Sequence, residues 1–300
     1  MLKVAWSQVY NHPLPHGHRF PMEKYDLLPK QLLHEGTIEE SSIFAPRELT
    51  EKEILSVHTP GYWKKLRSLD FTRQEERKSG FPISETLVKR EITINGGTIQ
   101  CADYALEYGI AMNVAGGTHH AFTDRAEGFC LLNDIAIASR YLLDNGKAHQ
   151  VLVVDLDVHQ GNGTAEIFQD EASVFTFSMH GAHNYPLHKE QSDLDIPLKD
   201  GTDDRTYLNL LDQNLKHLLD KVEPDFIFYQ SGVDVLKTDK LGRLGLSIEG
   251  CKNRDKIVIE SARDNSIPLV ASMGGGYSKD IRDILQAHSN TFRTAQELFF

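Results

Sequence analysis

Val151-Leu-Val-Val-Asp-Leu-Asp-Val-His-Gln-Gly-Asn-Gly163 is the stretch that decides the fold. It starts as an almost unbroken apolar run, Val151–Leu156, and then turns acidic, histidine-bearing and glycine-rich. A strand with one wet face would alternate polar and apolar residues. A run that stays apolar is covered on both faces, as in a parallel sheet. Five more runs share this character: Lys3–Trp6, Ile110–Ala115, Val174–Ser178, Phe226–Gln230 and Pro268–Met273. Amphipathic segments lie between them. In Asp204–Val222, Leu211, Leu215, Leu218 and Val222 fall on one stripe of period 3.6. Thr98–Tyr108, Asn133–Asp144 and Ile248–Asp264 have similar character. The alternation predicts an α/β fold, a doubly wound and mostly parallel sheet flanked by helices. The polar segment Asp70–Arg90 reads as a long loop, and residues 1–300 as a single domain.

The 300 residues, 40% of them hydrophobic, suffice for one large core. With 32 basic and 43 acidic side chains, the net charge is −11. That balance speaks against nucleic acid as a direct partner, because phosphate binding rests on clustered Lys and Arg. It would suit a cationic substrate. The N-terminal stretch has no apolar signal region, and no run approaches the ~20 apolar residues that span a bilayer. Cys101, Cys130 and Cys251 are odd in number, widely spaced and without a CxxC pair. They make a poor disulfide framework and point to a reducing compartment, the cytoplasm.

In open α/β sheets, ligands bind beyond the carboxyl ends of the strands. Reactive residues follow five of the runs: Gly116-Gly-Thr-His-His120, Asp155-Leu-Asp-Val-His159, Ser178-Met-His180, Ser231-Gly-Val-Asp234 and Gly274-Gly-Gly-Tyr277. Asp157 and His159 are two apart on what reads as an extended segment, so both can face one metal ion, with Asp155 on the same side. Mixed carboxylate and imidazole donors suit Zn²⁺. The plainer alternative is that these aspartates only cap helices or make turns. Asp234 is the natural third ligand, and three protein ligands leave a position open, as catalytic zinc sites do. His119 and His120 read as general base and general acid, or else as solvated loop histidines. Tyr277 is either a half-buried aromatic or a donor to an oxyanion.

Taken together, GGTHHAF (116–122), GFCLLNDIAIA (128–138), DLDVHQGNGT (155–164), SMHG (178–181), SGVDVLKTDKLGRLGLS (231–247) and GGGYS (274–278) resemble the histone deacetylase family in order and spacing. The likeness runs from about residue 8 to residue 290. It implies the arginase/deacetylase fold and a zinc-dependent amidohydrolase that removes acetyl or longer acyl groups from lysine side chains. By resemblance, Asp157, His159 and Asp234 would hold one zinc ion, and His119 and His120 would be the catalytic pair. Asp155 would orient the first histidine and Tyr277 would serve the oxyanion. Asn162 stands behind the second histidine, where class I members carry an aspartate. Phe129 and Gly128 would line the acyl-lysine tunnel, Leu241 its rim, and Tyr185 and Gly275 the same substrate path. A potassium ion would be held by Asp155, Asp157, His159, Ser178 and Met179. Tyr185-Pro186, GTDD (201–204) and DKLGRLGLS resemble the class IV branch, which implies removal of long fatty acyl groups. The N-terminal YNHPLPHGHRFP follows the family's first loop only loosely.

The amide at Asn162 has a physical consequence. A carboxylate would favour imidazolium at His120, whereas an amide only orients the ring. His120 is therefore expected to stay neutral near pH 7 and to take the proton of the attacking water, with His119 assisting or protonating the leaving amine. Three other functions share part of the pattern. An acetylpolyamine or other small-molecule deacylase has the same motifs, an arginase-like two-manganese ureohydrolase has the same fold, and an acyl-lysine reader would bind without catalysis.

Overall fold

All six apolar runs form strands in the computed structural model, which describes residues 1–300. The strands are β1 (Lys3–Ala5), β2 (Ile43–Phe44), β3 (Ile110–Asn113), β4 (Val151–Asp155), β5 (Val174–Gly181), β6 (Leu194–Leu198), β7 (Phe226–Gln230) and β8 (Leu269–Ser272). They build one sheet in the order β2-β1-β3-β8-β7-β4-β5-β6, and every neighbouring pair is parallel. Both faces are covered by helices, and β3, β4, β7 and β8 are buried at every position. The helices are α1 (Lys24–His34), α2 (Glu51–Leu55), α3 (Pro60–Ser68), α4 (Arg73–Ser79), α5 (Glu85–Tyr108), α6 (Asp134–Asp144), α7 (Asn162–Phe168), α8 (Asp204–Val222), α9 (Ile248–Asp264) and α10 (Ile281–Phe299).

This strand order sets up the site. The five strands followed by reactive residues are contiguous in the sheet, as β3-β8-β7-β4-β5. Their carboxyl ends share one edge at a spacing of about 4.8 Å. β4 lies beside β7, with Asp155 in register with Gln230, so the loops carrying Asp157 and Asp234 leave the sheet as neighbours.

Residues 70–90 are not a loop. Thr72 caps α4 with a reciprocal Glu75 bond, Gly80 ends it with φ of 80°, and Ser84 caps α5. The segment's polarity is that of a short, well-capped surface helix. α5 is 24 residues long, and 14 of them are buried, so its first half shows no amphipathic stripe. A side chain at Gly96 would strike the Arg47 carbonyl, so the helix passes hard against that backbone. β6 carries Pro197, which an edge strand tolerates because one side of it needs no ladder donors.

A buried ion pair ties the sheet ends to the helices. Arg254, fully buried on α9, donates to Gly232 O at 2.5 Å and Leu156 O at 3.2 Å, just past the ends of β7 and β4. Asp255 accepts from Arg254 at 2.7 and 2.9 Å, from Tyr229 at 2.5 Å, and from Thr291 of α10 at 2.8 Å. Removing one partner leaves a buried charge uncompensated, at a cost of about 3–5 kcal/mol. Asp255→Ala should lower the unfolding free energy by that amount in a denaturant titration. Lys216→Ala, which removes the exposed Lys216–Asp212 pair, should stay within about 0.5 kcal/mol of the parent.

Candidate active site

The loop after β3 delivers the two histidines. Gly116 and Gly117 have φ of 82° and 70°, left-handed values that a glycine adopts without strain. The loop is clamped by Asp134, whose carboxylate accepts from Thr118 N at 2.8 Å and Thr118 Oγ1 at 2.9 Å. Gln230 Nε2 donates to Gly117 O at 2.8 Å from the end of β7. His119 and His120 are both buried, with ring centroids 4.1 Å apart. Their Nδ1 atoms make equally short bonds, His119 to Asp155 Oδ2 and His120 to Asn162 Oδ1, each 2.6 Å.

Both partners accept, so Nδ1 carries the hydrogen on each ring and Nε2 is turned to the cavity. The two acceptors separate the pair electrostatically. Burial alone would lower the His119 pKa, but the Asp155 carboxylate outweighs it and the net shift is upward. His120 falls well below its ordinary value, first through burial and then through the neighbouring charges of His119 and His159.

β4 ends at Asp155, so Asp157 and His159 sit in the loop beyond it and not on a strand. Two successive turns aim them. Asp155 Oδ1 accepts from Asp157 N at 3.1 Å, and Asp157 Oδ1 accepts from His159 N at 3.0 Å. Both Asp155 oxygens are thereby engaged, Oδ2 by His119 Nδ1 and Oδ1 by Asp157 N. His159 Nδ1 lies 3.0 Å from Asp157 Oδ1 and 3.1 Å from Asp234 Oδ2. One ligand atom from each of the three residues falls within 4.8 Å of the others.

The group has the character of a metal site. Asp234 is fully buried, and its Oδ2 accepts no hydrogen bond. Burial and the charge of Asp157 push the Asp234 pKa up to about 7. Burial opposes charge on His159, yet its bond to Asp157 and the Asp234 carboxylate beside it pull its pKa up to about 10. Asp157, by contrast, is held well below the usual carboxylate range by its bonds with His159, and a divalent cation binding this ready carboxylate would displace the protons that Asp234 and His159 keep. Oxygen and imidazole donors in this number fit zinc. Glycines close the cradle: a side chain at Gly275 would strike the Asp234 carboxylate, and one at Gly232 the Asp157 carboxylate. Gly275 N itself donates to Asp157 Oδ2 at 2.7 Å.

A narrow cavity of about 40 Å³ reaches this group, walled by Phe20, Phe129, His119, His120 and Tyr277. Phe129 holds a φ of 68°, unusual for a residue with a side chain. Backbone bonds from Gly128 N to Lys78 O at 3.0 Å and Phe129 N to Ser79 O at 2.7 Å keep it there. The end of α4 therefore builds the tunnel wall. A side chain at Gly128 would meet the His120 ring at 2.5 Å. Phe20 packs on Phe129 at 5.1 Å and Tyr277 at 6.0 Å. His18 instead stacks on Phe81 and bonds to Gly80 O at 2.9 Å, and His16 is exposed.

Tyr277 is buried, and desolvation followed by the charges of Asp234 and Asp157 holds its phenol well above the ordinary pKa, so it remains a donor. Tyr185 stands at the mouth, its ring 5.0 Å from His120 and its hydroxyl 2.6 Å from Glu127. Leu241 lines the same mouth, and its carbonyl accepts from Asn184 at 2.7 Å. Ser178 is in register with Asp155, so Ser178 and Met179 flank the loop of Asp157 and His159 on the β5 side.

Asp134, Asp239 and Phe20 contribute to the site without having been singled out in the sequence. Asp239 accepts from Tyr277 N at 2.6 Å and from Leu241 N and Gly242 N at 2.8 Å, joining the tyrosine to the rim. The one signal that could have found it is an aspartate three residues before a glycine in a polar turn.

The histone deacetylase domain profile matches residues 18–292. The chain is 43% identical over 296 residues to an uncharacterized protein of Picosynechococcus, covering 99% of both. It is 32% identical over 271 residues to histone deacetylase 2 of Arabidopsis thaliana, covering 87% of this chain and 70% of the relative. The crystal structure of an HDAC homolog from Aquifex aeolicus aligns with a TM-score of 0.83 at 27% identity, over 99% of this chain and 83% of that one. Fold and relatives define a hydrolase of the deacetylase type. The chain belongs to the histone deacetylase family.

Because Gly275 packs against both carboxylates, Gly275→Ala should weaken metal binding by about 10–100-fold. Competition with a chromogenic chelator, on protein whose circular dichroism matches the parent, reads this directly.

Proposed function

We propose that the protein is a zinc-dependent deacylase that hydrolyses the side-chain amide of acylated lysine in proteins or peptides, with residues 1–300 acting as one catalytic domain. The observation that carries this reading is the convergence on one cavity of a buried Asp-His-Asp group, two histidines with different partners and a protonated tyrosine. One zinc ion on Asp157, His159 and Asp234 would supply Lewis-acid polarisation of the amide carbonyl and of the attacking water. His120, neutral and oriented by Asn162, takes the water's proton at Nε2. His119, kept basic by Asp155, delivers a proton to the leaving amine. Tyr277 donates its hydroxyl to the developing oxyanion. Phe20 and Phe129 enclose the lysine's methylene chain and keep bulk water away from the amide.

A potassium ion at Asp155, Asp157, His159, Ser178 and Met179 would steady the same loop. The inner cavity, narrowed by Phe20, Phe129 and Tyr277, favours a short acyl group, and a fatty chain, as the class IV likeness implies, would require it to widen. A two-metal ureohydrolase is disfavoured because Gln160 and Asn162 stand where bridging carboxylates would be needed. Gln160 is bonded to Glu190 O and Asp195, and Asn162 to His120. No helix is long and apolar enough to cross a membrane, and three buried free cysteines fit the reducing cytoplasm.

His120→Ala should lower kcat on an acetyl-lysine peptide by about 10²–10⁴-fold, and Tyr277→Phe by about 10²–10³-fold, with metal content unchanged in both. Full activity in His120→Ala would refute the assignment of the base. Across an acyl series, acetyl-lysine should be turned over faster than myristoyl-lysine; the opposite order would show that the cavity opens to hold a long chain.

A further inference from the structure

We propose that the mouth of the site recognises acyl-lysine within acidic peptide segments, through the cations Arg19, Arg77 and Lys78. The proposal rests on the deacylase reading above and names its substrate class.

The chain carries a net charge of −11, but the outer mouth, a cleft of about 700 Å³, has the opposite sign. Five arginine and lysine side chains line it against two carboxylates, Glu127 and Glu190. Arg125 is already paired with Glu127 at 3.0 Å and Asp124 at 3.1 Å, and Arg243 with Asp200 at 3.4 Å. Glu127 is further occupied by the Tyr185 hydroxyl. Arg19, Arg77 and Lys78 are exposed, and no ion pair engages them. Three free cations therefore face the entrance with Glu190 as their only unpaired counterweight.

These charges are held at the tunnel. The Arg19 guanidinium lies over the Phe129 ring at 5.0 Å. Arg77 and Lys78 form the last turn of α4, whose end is bonded to Gly128 and Phe129. Basic residues at a helix C-terminus also complement its dipole, which is reason enough for Arg77 and Lys78 to sit there. It does not explain Arg19, which comes from the loop before α1 and converges on the same wall. A polyamine or lysine-rich segment would bring like charge to this entrance, whereas aspartate or glutamate beside the acyl-lysine would find a partner. The mouth is wide and open, and a peptide fills it better than a small amine.

The test uses the full-length, zinc-loaded chain and three acetyl-lysine peptides that differ only in having acidic, neutral or basic flanks, with a small neutral acetyl-lysine amide and acetylspermidine alongside. At low salt, kcat/KM should fall from acidic to neutral to basic flanks, with about tenfold between the extremes, as expected of several partly screened surface pairs. The spread should collapse at 1 M salt, where the screening length is about 3 Å. In Arg77→Glu/Lys78→Glu the order of the peptides should reverse, and in Arg77→Lys/Lys78→Arg it should persist. Arg19→Glu should narrow the spread by itself. Equal rates on all three peptides, an order insensitive to salt, or acetylspermidine outpacing the acidic peptide would each overturn the proposal while leaving the deacylase reading standing. Failure to cleave every substrate, the small amide included, would sink the deacylase reading and this inference with it.

Discussion

Asp157 and Asp234 are two carboxylates buried against the same imidazole, and the rest of the architecture is arranged to hold them there. Like charges this close in a low-dielectric interior repel strongly. The structure meets that cost by proton retention, which lifts Asp234 to about 7 and His159 to about 10, and a divalent cation would meet it better. The neighbouring chain gives up side chains to make room, since Gly232 and Gly275 touch the two carboxylates with bare backbone. Arg254 fastens the carbonyls just past the ends of β4 and β7 from behind. What looks like a local cluster is thus a commitment of the sheet's whole central edge.

The same edge explains how one site obtains an acid and a base from identical side chains. His119 and His120 are consecutive, equally buried and equally well bonded through Nδ1. Burial lowers the proton affinity of both; the carboxylate behind His119 overcomes it and the amide behind His120 does not, so the net shifts are opposite. A difference of one atom type, at Asp155 against Asn162, is enough to divide the roles.

Much of this was legible in the sequence because the fold separates its signals. Strands buried on both faces leave apolar runs, and the ligand edge leaves polar residues at the carboxyl ends of those runs. Asp157 and His159 were readable as a pair for that reason, although the turns at Asp155 and Asp157, and not strand periodicity, are what aim them. Asp234 was a candidate from its place after another apolar run, and only the family likeness made it convincing, because the adjacency of β7 to β4 is a property of topology that no spacing records. The start of α5 was hidden by its own burial, and α4 by its polarity. Asp134 and Phe20 act through contacts with loops far away in the chain, so nothing local marks them, and Asp239 leaves only the faint mark of a polar turn before Gly242. Net charge is blind to this edge in a different way: it sums the whole surface, while five arginine and lysine side chains line the mouth.

The central claim is that Asp157, His159 and Asp234 hold one metal ion on which activity depends. Elemental analysis of the purified chain, run in parallel with deacylation of an acetyl-lysine peptide before and after chelation, tests it most directly. The account predicts one zinc per chain, loss of both metal and activity on chelation or in Asp234→Asn, and recovery of the chelated enzyme when one equivalent of zinc is restored. Two divalent metals per chain, or full deacylation by metal-free protein, would contradict it.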